Sequence, residues 1–405
     1  MIIAVNISLL VLTVILGLAP FLLAMRFRAR LSGYGHHTAL RYAPAIAAIL
    51  PCKGLDPGFR DNIQALLDQD YPSLQLLFVV ATEEDPAYPA LREILHRQHG
   101  RKSLHTAELI VAGIDHQRAQ KLTNQLAALR NVSRDTEVIV FLDSDIRPDR
   151  EFLRRLVAPL DVQDVGATTG FRWYHPPAPT VGSMLRSAWN AGALPFLVDP
   201  KRNFAWGGAM AIRRKIFDRA GIAAAWEHAV SDDFPFTLGV RALGLEVRFV
   251  PECIAISYEA STLSETIEFT NRQSVISRVY FPPLWRAAAI GHSVGNLMSL
   301  YGAANLLLWL SAGGLAHLLG AGCLLLIPLQ MAGADNLFRS VKTLIPQLDV
   351  ELDKLRWRYV LTAPLASLLS LVNTLYSLTT RRITWRGITY ELRSPRETVV
   401  CESDR

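Results

Sequence analysis

The chain has 405 residues, of which 50% are hydrophobic and only 19% charged. Soluble domains carry roughly 25% charged residues, so a disordered chain is excluded and an ordinary cytosolic enzyme is disfavoured. Lysine and arginine outnumber the acids 42 to 36, giving a formal net charge of +6. These basic residues form no dense run and no zinc-finger or RNP-like pattern, so no nucleic acid is expected as a partner.

From the N-terminus, residues 2–25 form an uncharged apolar run long enough to cross a bilayer, followed at once by Arg26, Arg28 and Arg30. A signal peptide has the opposite charge order and a small-residue cleavage site. The run therefore reads as a retained anchor over 1–30, its C-terminal end held in the cytoplasm by the arginines. Residues 40–285 come next and read as a globular cytosolic domain. Short apolar runs alternate there with helical stretches: Ala45–Leu50, a helix over 57–70, Leu74–Ala81, a helix over 86–99, Glu108–Ala112, a helix over 116–131, and Glu137–Leu142. Runs without polar alternation are what strands buried on both faces look like, so the fold class is α/β with a mainly parallel sheet. The four cysteines, Cys52, Cys253, Cys323 and Cys401, are scattered and form no C-x-x-C. This argues against thiolate metal sites and disulfides and fits a reducing compartment.

A second apolar zone, Ala287–Gly333, has the length for two passes with a turn at Gly313-Gly314. A last one runs from Tyr359 to Leu378. Between them Asp335–Arg358 reads as an amphipathic interfacial helix. The C-terminal membrane portion thus covers 287–380, and a basic tail, 381–405, follows. Four spans would leave the C-terminus outside, against the pull of Arg381, Arg382 and Arg386. A re-entrant segment or an exception to the charge rule is implied.

In parallel α/β sheets, ligands bind beyond the carboxyl ends of the strands, so the residues after each run carry the interest. Lys53 follows the first run, and Thr82-Glu83-Glu84-Asp85 the second. Asp143-Ser144-Asp145 follows EVIVFL. No G-x-G-x-x-G or P-loop is present. One lysine and several acids suit a phosphate-bearing substrate bound with a metal. Two carboxylates one residue apart can share Mg²⁺ or Mn²⁺ with a diphosphate, although a solvated turn gives the same letters. Asp232 and Asp233 open a helical stretch, where they are either dipole-favoured caps or include a general base for a hydroxyl. Trp206-Gly207-Gly208 permits close backbone approach to a ligand or is a packing turn. Lys121 could reach a phosphate or be solvated. Arg272 and Arg278 lie next to the membrane, for lipid phosphates or a pyrophosphate. Residues 183–200 are mildly apolar and read as a buried helix or a path for lipid.

In this order the stretches resemble the membrane-bound family 2 glycosyltransferases, and most of all their ceramide glucosyltransferase-like branch (family 21, with hopanoid glycosyltransferases). The carrying segments are PCKGLDPGFRDNIQALLDQDYPSLQLLFVVATEEDPA (51–87), QKLTNQLAAL (120–129), FLDSDIRPD (141–149), VGATTGFRWYHP (165–176), WGGAMAIRR (206–214), SDDFPFTLGVRALGLEVRFVP (231–251) and ITWRGITYEL (383–392). The resemblance implies a GT-A fold, a UDP-sugar donor, a divalent cation (Mn or Mg), and an inner-membrane protein whose catalytic domain is cytoplasmic. It implies that Asp143 and Asp145 bind metal and diphosphate, that Asp233 is the catalytic base beside Asp232, and that Lys53, Lys121 and Arg272 serve the donor. Trp206, Gly207 and Gly208 fall on the acceptor loop. Relatives often have aspartate at Thr82, so Glu83 or Glu84 is expected at the nucleobase. The family's Q-x-x-R-W motif is reduced to Arg272 followed by Gln273. In processive polysaccharide synthases the missing tryptophan positions the glycan. The expected function is therefore inverting transfer of one sugar to a hydroxyl of a membrane lipid. A processive synthase and a non-catalytic membrane scaffold are the alternatives.

Overall fold

The computed structural model describes residues 1–33, 41–98, 105–200 and 203–403. The chain divides into two compact units. One comprises Tyr34–His175, Leu197–Glu259 and Arg381–Arg405, and the other Met1–Gly33, Pro176–Phe196 and Ala260–Thr380.

The first unit is built on seven strands: β1 (Ile46–Pro51), β2 (Leu74–Val80), β3 (His105–Val111), β4 (Val138–Leu142), β5 (Val165–Tyr174), β6 (Ala209–Arg213) and β7 (Glu246–Ser257). Their order is β3-β2-β1-β4-β6-β5-β7. β1 to β4 are mutually parallel, and only β6 runs against its neighbours β4 and β5. This is the mainly parallel α/β sheet expected. Ile46 to Leu50 and Val138 to Leu142 are buried throughout, which is why they read as unbroken apolar runs. The helix Phe59–Leu67 turns Phe59, Ile63 and Leu66 to the sheet at i, i+4 and i+7. Burying each stabilises the unit by roughly 1.5–3 kcal/mol. β5 is buried over all ten residues and carries two bulges. A Cβ on Gly170 would lie 2.3 Å from the carbonyl oxygen of Cys253, so only glycine fits. The bulge there increases local twist and re-aims the residues that follow, Phe171 and Arg172.

Residues 381–405 are not a loose basic tail. β8 (Arg382–Trp385), β9 (Ile388–Ser394) and β10 (Glu397–Ser403) form an antiparallel sheet within the same unit as β1–β7. Ile383, Tyr390 and Leu392 make its buried face. The alternation that produces this face is present in ITWRGITYEL.

In the helical unit, three helices among the described residues are long and apolar enough to span a membrane: Ile2–Leu31, Leu315–Lys342 and Asp349–Thr379. The helix Pro282–Ala312 ends at Gly313-Gly314, both at positive φ, so the turn lies where the sequence placed it. That helix is not among the three, so three candidate spans among the described residues stand where the sequence left the number open. The charged stretch Asp335–Arg358 is likewise not one interfacial helix. It is the end of Leu326–Lys342, a turn, and the start of Asp349–Thr379. Its charges pair across that turn, with Arg356 Nε 2.6 Å from Asp335 and Lys342 Nζ 3.0 Å from Asp349. Small and polar residues join the apolar helices. Gly333 packs on Pro20, and Asn6 donates to the Ala316 carbonyl at 2.6 Å while accepting from the Tyr301 hydroxyl. Such contacts replace the hydrophobic drive that helices lack in lipid.

Because β8–β10 share a unit with β1–β7, the chain between Glu259 and Arg381 must cross a bilayer an even number of times. Leu315–Lys342 and Asp349–Thr379 have the length and apolarity for two crossings. Exposed Cys401 and a cysteine introduced by Glu227→Cys should therefore react with an impermeant maleimide from the same side of sealed vesicles. Labelling from opposite sides would refute the shared unit.

Candidate active site

The carboxyl ends of β1 and β4 lie side by side, because the two strands pair in parallel with Ile46 opposite Val138. Lys53 leaves one end and Asp143 and Asp145 the other. The Asp143 N–H donates to the Gly208 carbonyl at 3.1 Å, which joins this edge to the turn before β6.

Two cations, the buried Arg172 and the largely buried Lys121, organise the site. Lys121, on the first turn of the helix Gln120–Leu129, lies 2.8 Å from Asp143 and 2.8 Å from Asp232, and donates to the Gly207 carbonyl at 3.2 Å. Burial opposes its charge, but the two carboxylates outweigh that and hold its pKa above the usual lysine value. Arg172 of β5 lies opposite. Its guanidinium grips Asp145 with two nitrogens, at 2.8 and 2.5 Å, and Asp143 at 2.8 Å, with Glu259 at 3.6 Å. It also lies over the Trp206 ring at 5.2 Å and the Tyr174 ring at 5.6 Å. Burial of Asp145 works to raise its pKa, and the Arg172 charge reverses this, leaving it at about 2. Asp145 is thus ionised at any physiological pH.

The second acid pair is asymmetric. Asp232 is buried and accepts from Gln125 Nε2 at 3.0 Å as well as from Lys121. A Cβ on Gly207 would lie 2.5 Å from its Oδ1, so this glycine is required by the approach of Asp232. Asp233 opens the helix Asp233–Ala242. Its Oδ1 accepts from the Ser231 hydroxyl and from the Phe234 N–H at 2.8 Å, and its Oδ2 has no donor among the described residues. Burial first, and the Asp232 charge second, push its pKa up to about 6. The two neighbouring aspartates therefore differ: one is committed to an ion pair, and the other is a carboxylate with base strength near neutrality.

The structure gathers Lys53, Lys121, Asp143, Asp145, Trp206, Gly207, Gly208, Asp232 and Asp233 into this unit. Glu83 and Glu84 are exposed, with Glu83 taking the Tyr88 hydroxyl at 3.2 Å. The acid tied to the β1 loop is instead Asp85, whose Oδ1 accepts from the N–H of Gly54 at 2.8 Å and of Ala87 at 2.9 Å. Arg272 belongs to the helical unit, where its guanidinium lies 5.4 Å over the Phe269 ring. Residues 183–200 include the helix Val181–Ala191, also of that unit, with Met184, Leu185 and Ala188 buried. Arg172, Glu259, Asp56 and Arg386 escaped the sequence reading. For Arg172 a signal existed, since a lone charge within the apolar strand VGATTGFRWY demands a buried partner.

The class defined by the fold is a mainly parallel α/β unit that carries paired acids and cations at its strand ends. More narrowly, the chain belongs to glycosyl transferase family 21, whose profile matches residues 9–398, and it is a glycosyltransferase by that membership. It is also similar to a mannosyltransferase from Pyrobaculum calidifontis, PcManGT, solved with GDP-Man and Mn²⁺. The identity is 17% and the TM-score 0.49, over 91% of this chain and 99% of that one. Glucosyl-3-phosphoglycerate synthase from Mycobacterium tuberculosis, solved with Mn²⁺, UDP and glucosyl-3-phosphoglycerate, is 16% identical with a TM-score of 0.40. There the match covers 60% of this chain and 82% of that one.

Arg172→Gln should destabilise the enzyme by roughly 3 kcal/mol, because it leaves the largely buried Asp145 without its cation. Chemical denaturation of the purified protein reads this directly, and an unchanged midpoint would refute the pairing.

Proposed function

We propose that this protein is an inverting GT-A-type glycosyltransferase of the cell's inner membrane, moving one sugar from a UDP-sugar to a hydroxyl of a membrane lipid on the cytoplasmic side. The observation that carries the reading is the asymmetry of Asp232 and Asp233. A carboxylate with a pKa near 6 and an open oxygen suits removal of a proton from an attacking hydroxyl. One displacement at the anomeric carbon inverts it. Asp232 positions Lys121, and through it Asp143, so the donor side and the acceptor side of the cleft share one ion pair. The membrane-length helices suit an acceptor that is itself in the bilayer.

The residues present fit a divalent cation. Asp143 and Asp145 are hard-oxygen donors that already converge on one positive group, Arg172. Among the described residues no three metal-ligating side chains form a complete cage. Mg²⁺ or Mn²⁺ held by one or two carboxylates takes its remaining ligands from water and substrate phosphate. Such an ion, when bound, offsets negative charge on the departing nucleoside diphosphate. The chain's own part is to hold the two carboxylates fixed by Arg172 and Lys121, and to keep Asp233 unprotonated above pH 6.

Lipid mass spectrometry on membranes incubated with UDP-sugars should show a lipid heavier by one sugar, absent with Asp233→Asn although that variant still binds donor. Turnover by Asp233→Asn would overturn the base assignment. The rate should rise with pH through about 6 as Asp233 ionises. Asp232→Asn removes a negative neighbour and should move this limb to lower pH. A limb that stays put would show that another group titrates. Asp145→Ala should abolish the metal dependence of UDP binding. An unaltered response to Mn²⁺ in calorimetry would sink the metal assignment.

A further inference from the structure

The hairpin between β8 and β9 turns through Arg386-Gly387, with φ of 49° and 77°. Two residues at positive φ between paired strands make the turn that twists correctly for a hairpin, and asparagine or glycine is the ordinary choice at its first position. Arg386 is the only non-glycine residue with positive φ among those described. An arginine there is disfavoured by its Cβ, so its contacts must hold it.

Those contacts all reach the loop after β1. Arg386 Nη1 donates to the Lys53 carbonyl at 2.9 Å and Nη2 to the Asp56 carboxylate at 3.0 Å, while Lys53 Nζ donates back to the Arg386 carbonyl at 2.5 Å. A second anchor lies on β9, where the buried Tyr390 hydroxyl accepts from the N–H of Gln120, next to Lys121. The hairpin therefore grips both segments that bring lysines to the strand-end cleft. Electrostatics extend the connection, because Asp145 and Glu259 as well as Asp56 act on the Arg386 charge.

The cleft is rich in acids: Asp56, Asp85, Asp143, Asp145, Asp232, Asp233 and Glu259. A nucleoside diphosphate brings more negative charge, so it needs cations with donors to give. The side chains of Lys121 and Arg172 are only 14% and 8% exposed and are spent on carboxylates, whereas that of Arg386 is 39% exposed. Its guanidinium has five N–H donors in a fork that matches diphosphate oxygens.

We infer that the C-terminal hairpin is part of the donor site, with Arg386 presenting its guanidinium to the diphosphate of the sugar nucleotide and holding the Lys53 loop in place. This rests on the donor class proposed above and adds a binding residue from the far end of the chain.

The test uses the full-length protein in nanodiscs, titrated calorimetrically with UDP, GDP and uridine. Arg386→Gln should weaken UDP about tenfold or more, the loss expected of a charge-assisted bond to phosphate. Uridine affinity should hold, and Arg386→Lys should restore part of the UDP affinity. Wild-type UDP affinity in Arg386→Gln would overturn the inference. So would equal loss of UDP and uridine with a lowered melting temperature and no rescue by lysine, because that marks a purely structural hairpin. If the wild-type protein binds neither UDP nor GDP, the donor reading itself falls and this inference with it. That outcome is distinct from a wild type that binds and a variant that binds equally well.

Discussion

Asp143 is held between two cations, Lys121 and Arg172, and the rest of the site depends on that arrangement. Lys121 continues from it to Asp232, and Arg172 continues to Asp145. The chain of alternating charge joins the end of β4 to β5, to the start of the helix Gln120–Leu129 and to the start of Asp233–Ala242. Burying so many charges is not a source of stability in itself, since their desolvation offsets most of the attraction. What it confers is position. Each charge left without its neighbour would be costly, so the four segments have one acceptable arrangement.

Backbone features follow from this. Gly207 has no side chain because the Asp232 carboxylate occupies that space, and Gly170 has none because β5 presses on Cys253 where its bulge redirects Arg172. Trp206 closes one side of Arg172 with its ring. An aromatic face over a guanidinium that already has its carboxylates adds about 0.5–1 kcal/mol at an accessible site and more when desolvated. It also keeps water from competing for the ion pairs. Site and packing are therefore one design problem in this unit, and the glycines and the tryptophan are part of the electrostatics.

Much of this was legible in the sequence. The strands β1, β2 and β4 announced themselves as apolar runs because helices cover both faces, and Asp143 and Asp145 stood out by following one of them. Asp233 was legible as a helix-start acid, but its difference from Asp232 was not. That difference comes from Gln125 and Lys121, more than a hundred residues earlier in the chain, and no local pattern reveals such a pairing. Glu83 and Glu84 were singled out from the family resemblance, and the tie between Asp85 and the Gly54 amide in the loop after β1 had no signal in the sequence. The membrane portion was misread for a related reason. Asp335–Arg358 has the charge mix of an interfacial helix, and only the ion pairs across its turn show two helix ends meeting. The strands of ITWRGITYEL were visible as alternation but were treated as a tail because of their arginines.

The contact between Lys53 and Arg386 spans 333 residues of sequence. Chain synthesis proceeds from the N-terminus, so β1–β7 and every membrane-length helix emerge before the hairpin does. Until β8 and β9 leave the ribosome, the β1 loop has no partner at this point and Tyr390 is not there to accept from the helix that carries Lys121. This unit cannot assume its final form before the hairpin has been made. Contacts of such long range also form slowly, because the entropy of closing the loop is lost before any bond is gained. Maturation of the cleft is thereby tied to completion of the membrane helices, and a chain interrupted after Thr380 would have every membrane-length helix but an unfinished cleft.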